Sequence, residues 1–421
     1  MAKSLKGDIT VPGDKSISHR SLMLGSISEG RTRIKGLLRG ADCLSTMSCM
    51  RDLGVSIDDD GDEIVVHGNG LHGLKAPSKM LYTGNSGTTT RILSGILAGQ
   101  PFETTLTGDS SIEKRPMKRI IDPLTLMNAE ISSVKGNDCA PLSIKPSNLH
   151  GINYDSPVAS AQVKSCILLA GLYADSPTTI TEPALSRNHT ELMLKAFGAD
   201  IETGGFSATL TPGNELHGQD VTIPGDISSA AYFLAAGLIG KDSDVFIRNV
   251  NINPTRAGII KAIKSMGGFI EFYNERTISG EPVTDIYVKS SHLHGTEIGG
   301  EDIPTLIDEI PIIAVLAANA DGQTIIKDAA ELKVKESDRI KSISENLTKM
   351  GSDVMPTSDG MIIYGGAKLH SAKINTEKDH RIAMAFTIAS IPLDEDNVLD
   401  DRDCVKISYP DFFETLDSLI Q

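Results

Sequence analysis

The sequence predicts an α/β protein of two lobes, each assembled from three copies of one strand-and-helix unit. Three observations carry that expectation. The tripeptide Leu-His-Gly recurs at Leu71-His72-Gly73, Leu149-His150-Gly151, Leu216-His217-Gly218 and Leu293-His294-Gly295, with Leu369-His370-Ser371 and Leu5-Lys6-Gly7 as weaker copies. Successive leucines stand 66 to 78 residues apart, so about six units fill the 421-residue chain. An amphipathic run ending in glycine precedes the copies: Met50-Arg51-Asp52-Leu53-Gly54, Leu194-Lys195-Ala196-Phe197-Gly198, Ile263-Lys264-Ser265-Met266-Gly267 and Leu347-Thr348-Lys349-Met350-Gly351. Finally, Thr10-Val11-Pro12-Gly13-Asp14 is echoed halfway along by Thr222-Ile223-Pro224-Gly225-Asp226. Pro-Gly is loop chemistry, and two such loops read as two crossings between lobes. One lobe is then residues 15–223 and the other residues 1–14 plus 224–421.

Within a unit the elements follow in order. The amphipathic run is a helix, and its glycine suits a C-terminus that turns through positive φ. A hairpin comes next, with turn residues such as Asp58-Asp59-Asp60-Gly61; that acidic run is read as a solvated turn rather than a metal site. The tripeptide, a strand and a second helix complete the unit. Unusual residues gather where this second helix begins: Gly13 to Arg20, Gly84 to Arg91, Ala159 to Lys164, Gly225 to Ser229, Leu306 to Ile310 and Lys378 to Arg381.

The second of these junctions, Gly84-Asn85-Ser86-Gly87-Thr88-Thr89-Thr90-Arg91, opens onto the apolar residues Ile92, Leu93, Ile96 and Leu97. Free N–H groups and the positive end of the helix dipole meet at such a start, which suits a phosphate or carboxylate, and Arg91 adds a fixed charge. An ordinary hydroxyl-capped helix would look the same in isolation. The stretch lacks the Lys-Ser/Thr ending of a nucleotide P-loop. If equivalent units pack about a common axis, six weak anion sites become one strong one. Caps need no Lys, Arg or Gln, whereas most of these junctions carry charge beyond a cap.

Composition narrows the class of function. A net charge of -15 argues against a nucleic-acid surface. No stretch approaches the roughly 18 apolar residues of a membrane span, and the first residues carry no apolar leader, so a cytoplasmic protein is expected. Five cysteines, Cys43, Cys49, Cys139, Cys166 and Cys404, form no Cys-x-x-Cys pair and support neither a disulfide framework nor zinc.

Eight segments together resemble the 5-enolpyruvylshikimate-3-phosphate synthase family nearly end to end. They are Pro12 to Arg20, Gly84 to Thr88, Thr107-Gly108-Asp109 with Lys114-Arg115-Pro116-Met117, Ser160 to Ser165, Ser186 to Glu191, Ile307-Asp308-Glu309, Val334 to Arg339 and Asp379-His380-Arg381. The resemblance implies a two-lobed enolpyruvyl transferase fold of six βαβαββ repeats, three per lobe, an inverted α/β barrel. It implies transfer of the enolpyruvyl group of phosphoenolpyruvate to the 5-hydroxyl of shikimate-3-phosphate, releasing phosphate. No metal or organic cofactor, nucleic acid or membrane partner is expected, and the chain is expected to be a monomer.

Site residues follow from the resemblance position by position. Lys15 matches the lysine contacting both substrates. Ser16, Arg20, Ser160, Ala161, Gln162 and Arg187 match the shikimate-3-phosphate side, with Asp308 and Lys335 reaching the same substrate. Gly87, Arg115, Arg339 and Arg381, with Lys15 and Gln162, match the phosphoenolpyruvate pocket, where guanidinium forks suit a dianion. Asp308 is the candidate base for the hydroxyl and Glu336 the candidate acid for the methylene carbon. Two departures stand out. Ser111 occupies a point where many members have arginine, with Arg115 as its substitute in the Lys-Arg-Pro-Met variant, and Lys406 is one residue out of place for a C-terminal lysine. Two rivals remain: the UDP-N-acetylglucosamine enolpyruvyl transferase, whose reactive loop cysteine is missing from residues 109–119, and a non-catalytic repeat scaffold binding anions.

Overall fold

A computed structural model describes residues 3–421. The chain divides into two compact halves, Gly13–Ile223 and Met1–Pro12 with Pro224–Gln421. Both are built from one kind of small sheet. In Gly13–Ile223 the strand orders are Asp220–Thr222, Glu29–Lys35, Glu63–Asn69, Ser56–Asp59; then Leu81–Tyr82, Thr104–Thr107, Leu142–Lys145, Glu130–Ser133; then Asn153–Asp155, Thr178–Thr181, Ser207–Thr211, Asp200–Gly204. The other half has Lys6–Thr10, Asp244–Asn251, Glu281–Lys289, Phe269–Ile278 and Glu297–Ile298, Gln323–Ile326, Met361–Tyr364, Asp353–Pro356.

In each of these five sheets the first pair is parallel and the other two pairs antiparallel. A parallel pair needs a crossover, which a helix supplies, while the antiparallel pair needs only a hairpin. The βαβαββ order follows. The sixth unit stops short: Lys373–Ile374 pairs in parallel with Val398–Leu399, and the helix Phe412–Leu419 ends the chain with no hairpin behind it. Among the described residues no sheet closes on itself, so the expected barrel gives way to open sheets; four short strands are too few to curl into a ring.

Each half is organised around three buried helices; four of the six cross over within one parallel pair, whereas Lys15–Ser26 and Ile227–Ile239 each lead from the first strand of one sheet into the second strand of another. The six are Lys15–Ser26, Gly87–Ala98 and Ala161–Gly171 in one half, and Ile227–Ile239, Ile310–Ala318 and His380–Ile388 in the other. All nine residues of Ile310–Ala318 are buried. Lys15–Ser26 is polar by composition yet buried along nearly its whole length, because Ser18, Ser21 and Ser26 donate to carbonyls one turn back. Small residues bring two of these helices close. A Cβ on Gly95 would stand 2.1 Å from the Cys166 carbonyl oxygen, so only glycine fits. The amphipathic helices Ala41–Asp52, Lys118–Leu126, His189–Ala196, Gly258–Ser265, Arg339–Lys349 and Phe412–Leu419 complete the units.

The recurrent tripeptide is a fastening between units. Its leucine is buried at Leu149, Leu216 and Leu293. The histidine N–H caps the last carbonyl of the preceding amphipathic helix, from His150 to Met127, His217 to Phe197, His294 to Met266 and His370 to Met350, at 2.8–3.0 Å. The glycine passes so close to a neighbouring strand that a Cβ would lie 2.2 Å from the Arg31 oxygen at Gly218 and 2.0 Å from the Gln323 oxygen at Gly295. The first unit is out of step: Lys75, not His72, caps Leu53. Leu71-His72-Gly73 is therefore a displaced copy.

Candidate active site

In Gly13–Ile223 the three buried helix starts are tied to one another by side chains. Gln162 accepts from Arg91 Nη1 at 2.6 Å and donates to Thr88 at 3.0 Å, joining the Ala161 and Gly87 helices. Thr46 bridges His19 and Thr89 at 2.7 Å each, joining the Lys15 and Gly87 helices. Burial holds the His19 imidazole well below its ordinary range, with Lys15 and Arg20 adding to the effect, so this bridge is made by a neutral ring. Arg20 joins the Lys15 and Ala161 helices, donating to Ser165 Oγ at 2.7 Å, Thr190 Oγ1 at 2.6 Å and the Ser16 carbonyl at 2.9 Å. Arg20, expected as a substrate contact, also braces these helices.

On this framework Lys15 is the first residue of its helix and its Nζ pairs with Asp42. Ser16 Oγ accepts from Arg187 at 3.4 Å. The helix Gly87–Ala98 begins under two guanidinium groups: a Cβ on Gly87 would lie 2.9 Å from Arg115 Nη1 and 3.0 Å from Arg91 Nη1. Arg115 also reaches Asn85 at 3.3 Å. Ser160 caps the helix Ala161–Gly171 without a side-chain capping bond, and Ser160, Ala161 and Gln162 are all half-buried. Lys15 with Ser16 and Arg187, Gly87 with Arg115, and Ser160 to Gln162 thus share one framework within this half.

The other half is built differently, because each of its three buried helices starts on a carboxylate: Asp226, Glu309 and Asp379. Asp308, one residue before Glu309, stands among four cations. Lys335 is 3.7 Å and Arg339 3.4 Å from Oδ1, and Arg256 and Arg381 are each 3.9 Å from Oδ2. Arg339 is fully buried, donating to Glu336 at 2.7 Å and through Nε to Asp379 at 2.8 Å. Burial alone would raise the Asp379 carboxyl, but the Arg339 guanidinium against it holds it below the usual carboxylate range. Glu309 is the opposite case. Burial pushes its carboxyl up against the pull of Arg256 and Arg381, and its nearest donor is the Ser228 hydroxyl. Asp308, Lys335, Glu336, Arg339 and Arg381 therefore form a single network.

Two halves with the same helices carry different chemistry. In Gly13–Ile223 two starts are capped by serine, Ser86 and Ser160, and the third by Asp14 with Lys15 beside it, which leaves cations and hydroxyls at these starts, whereas all three starts of the other half are acidic. Arg256 was not foreseen from sequence, although it bonds Asp226 at 2.9 Å and Ser228 at 2.6 Å. A periodic signal existed. Arg115, Arg187, Arg256 and Lys335 all lie in the loop just ahead of the amphipathic helix of their unit, not at the junctions where charge was sought. Among the described residues no group of three or more His, Cys, Asp or Glu is placed to hold a metal ion, and no helix is long and apolar enough to cross a membrane.

Residues 1–416 match the family described as EPSP synthase (3-phosphoshikimate 1-carboxyvinyltransferase). A protein named 3-phosphoshikimate 1-carboxyvinyltransferase from Thermoanaerobacter sp. (strain X514) is 56% identical over 415 residues, covering 99% of this chain and 98% of the relative. One of the same name from Brevibacillus brevis is 51% identical over 420 residues, covering 100% and 99%. The solved EPSP synthase from Acinetobacter baumannii superposes with a TM-score of 0.89 at 46% identity, covering 100% of this chain and 97% of that one.

Proposed function

The chain belongs to the EPSP synthase family, and we propose that it transfers the enolpyruvyl group of phosphoenolpyruvate to the 5-hydroxyl of shikimate-3-phosphate. The observation that carries the assignment of roles is the split in helix-start chemistry between the halves. Gly13–Ile223 takes the anionic groups: Lys15, Ser16, Arg187, Ser160 and Gln162 bind shikimate-3-phosphate, and Gly87 with Arg115 faces phosphoenolpyruvate. The acidic half supplies proton transfer, with Arg339 and Arg381 as further cations for phosphoenolpyruvate.

In this reading Glu336 gives a proton to the methylene carbon of phosphoenolpyruvate, and Asp308 takes the proton of the 5-hydroxyl as its oxygen bonds to the phosphate-bearing carbon. The four cations around Asp308 fix its direction. From the resulting tetrahedral adduct, loss of a proton from the new methyl group and departure of phosphate restore the double bond. Lys15 neutralises the leaving phosphate. The protein works as a cytoplasmic monomer.

Phosphate release in the presence of both substrates tests this, on the wild type and on Lys15→Met. The wild type releases phosphate only when both are present, and Lys15→Met loses on the order of 10³-fold in kcat while retaining a cooperative melt. Release from phosphoenolpyruvate alone, or full turnover by the variant, contradicts the assignment.

A further inference from the structure

The deepest charged cluster of Gly13–Ile223 outside the residues already given a role is Glu182 with Lys164 and Glu191. All three side chains are at most 5% exposed, and Lys164 Nζ lies 2.8 Å from both carboxylates. A buried ion triad is by itself weak evidence for stability, because desolvation offsets most of the attraction. What the triad holds is more informative. Glu182 Oε1 accepts the Ser160 N–H at 2.8 Å. Its other oxygen accepts the Ser186 hydroxyl at 2.8 Å and the Ser186 N–H at 3.3 Å. Lys164 adds a bond to the Ser186 carbonyl at 3.4 Å.

These two segments are far apart in the chain, and each leads directly into a proposed phosphate contact. Ser160 opens the helix Ala161–Gly171, and Ser186 is followed by Arg187, which reaches Ser16. Charge-assisted bonds of this kind are short and directional. One carboxylate therefore sets the spacing between a helix start with no side-chain cap and an arginine. Lys164, shared with Glu191, offsets part of the negative charge that would oppose an incoming phosphate.

We propose that Glu182, paired with Lys164, is a positioning residue that sets Ser160 and Arg187 at the separation a phosphate monoester requires. The proposal rests on the assignment of shikimate-3-phosphate to this half. Glu182→Gln keeps the shape but replaces one acceptor oxygen with a donor, so one of the two segments is released.

Steady-state kinetics and calorimetric titration with shikimate-3-phosphate and with unphosphorylated shikimate provide the test. For Glu182→Gln, KM for shikimate-3-phosphate rises about tenfold or more, KM for phosphoenolpyruvate and kcat at saturation stay within about threefold, and shikimate binding is unchanged. A purely structural role would lower the folded fraction and leave KM unmoved. Should Glu182→Gln fail to fold, Ser186→Ala keeps the ion triad and removes one bond; it must then raise the same KM by about threefold. A folded variant with unaltered KM, or one losing affinity for both substrates alike, overturns the proposal. If the wild type itself does not bind shikimate-3-phosphate, the functional assignment falls with it, an outcome visible before any variant is made.

Discussion

Gly87 lies directly beneath the guanidinium group of Arg115: a methyl group built on its α-carbon would stand 2.9 Å from Nη1 and 3.0 Å from Arg91 Nη1. The obstructing atoms are the ends of flexible side chains, not backbone. A Gly87→Ala protein should fold normally, gaining about 0.5–1 kcal/mol of helix propensity that offsets the crowding. The guanidinium groups must instead shift, and KM for phosphoenolpyruvate is expected to rise about tenfold with kcat little changed. Steady-state kinetics with a thermal melt check this; a fall in melting temperature with unchanged KM would locate the strain in the fold.

Arg20 donates to Ser165 and Thr190 while buried at 3% exposure. Lysine carries the charge but cannot reach three acceptors in a planar fork. Arg20→Lys is expected to lose about 2–4 kcal/mol of stability, read as a lower denaturant midpoint with an unchanged slope. A neutral effect on stability combined with a large rise in KM for shikimate-3-phosphate would show that substrate contact, not bracing, is the main task of Arg20.

Asp379 is fully buried against Arg339, which keeps its folded-state carboxyl below its ordinary value once the opposing effect of burial is overcome. A depressed carboxyl contributes stability above its unfolded value near 3.9 and loses it as pH falls through the lower folded one. Asp379→Asn should therefore cost about 3–5 kcal/mol at pH 7, and the gap from wild type should narrow only below about pH 4. Urea melts across that range test the sign; a gap constant down to pH 2 argues against the pairing.

Glu309 shifts the other way, raised first of all by burial. Its contribution to stability is full below the unfolded value of about 4.3 and declines as pH rises through the folded value. Glutamine imitates the protonated acid. Glu309→Gln is expected to gain stability relative to wild type as pH rises above the unfolded value of about 4.3; parallel pH profiles for the two proteins would show that the folded carboxyl is not raised.

The repeats were legible because their causes are local. A glycine that ends a helix through positive φ, as at Gly54, Gly198, Gly267 and Gly351, leaves its mark wherever the unit recurs. The candidate acid and base, Glu336 and Asp308, were singled out only through resemblance, since Asp308-Glu309 and Glu336-Ser337-Asp338 carry no local signal that separates one carboxylate from its neighbour. Arg256 and Glu309 were not, because each depends on distant partners: Arg256 bonds Asp226 thirty residues before it and approaches Asp308 of the next unit, and Glu309 pairs with Ser228. The anion-site expectation also changed in kind. Aspartate caps at Asp14, Asp226 and Asp379 already accept N–H groups of their own helices, so not every start is open to a ligand.

By itself the sequence determined the βαβαββ unit, its number and the two Pro-Gly loops where the halves divide, since helix stops, hairpins and apolar periodicity are set by interactions over a few residues. Only the tertiary structure decided that Arg20 would brace Ser165 and Thr190 of another unit and that Glu182 would join Ser160 to Ser186. Those outcomes depend on burial and on partners tens to more than a hundred residues apart, where removing water turns a weak surface pairing into a demand that each charge and donor be met.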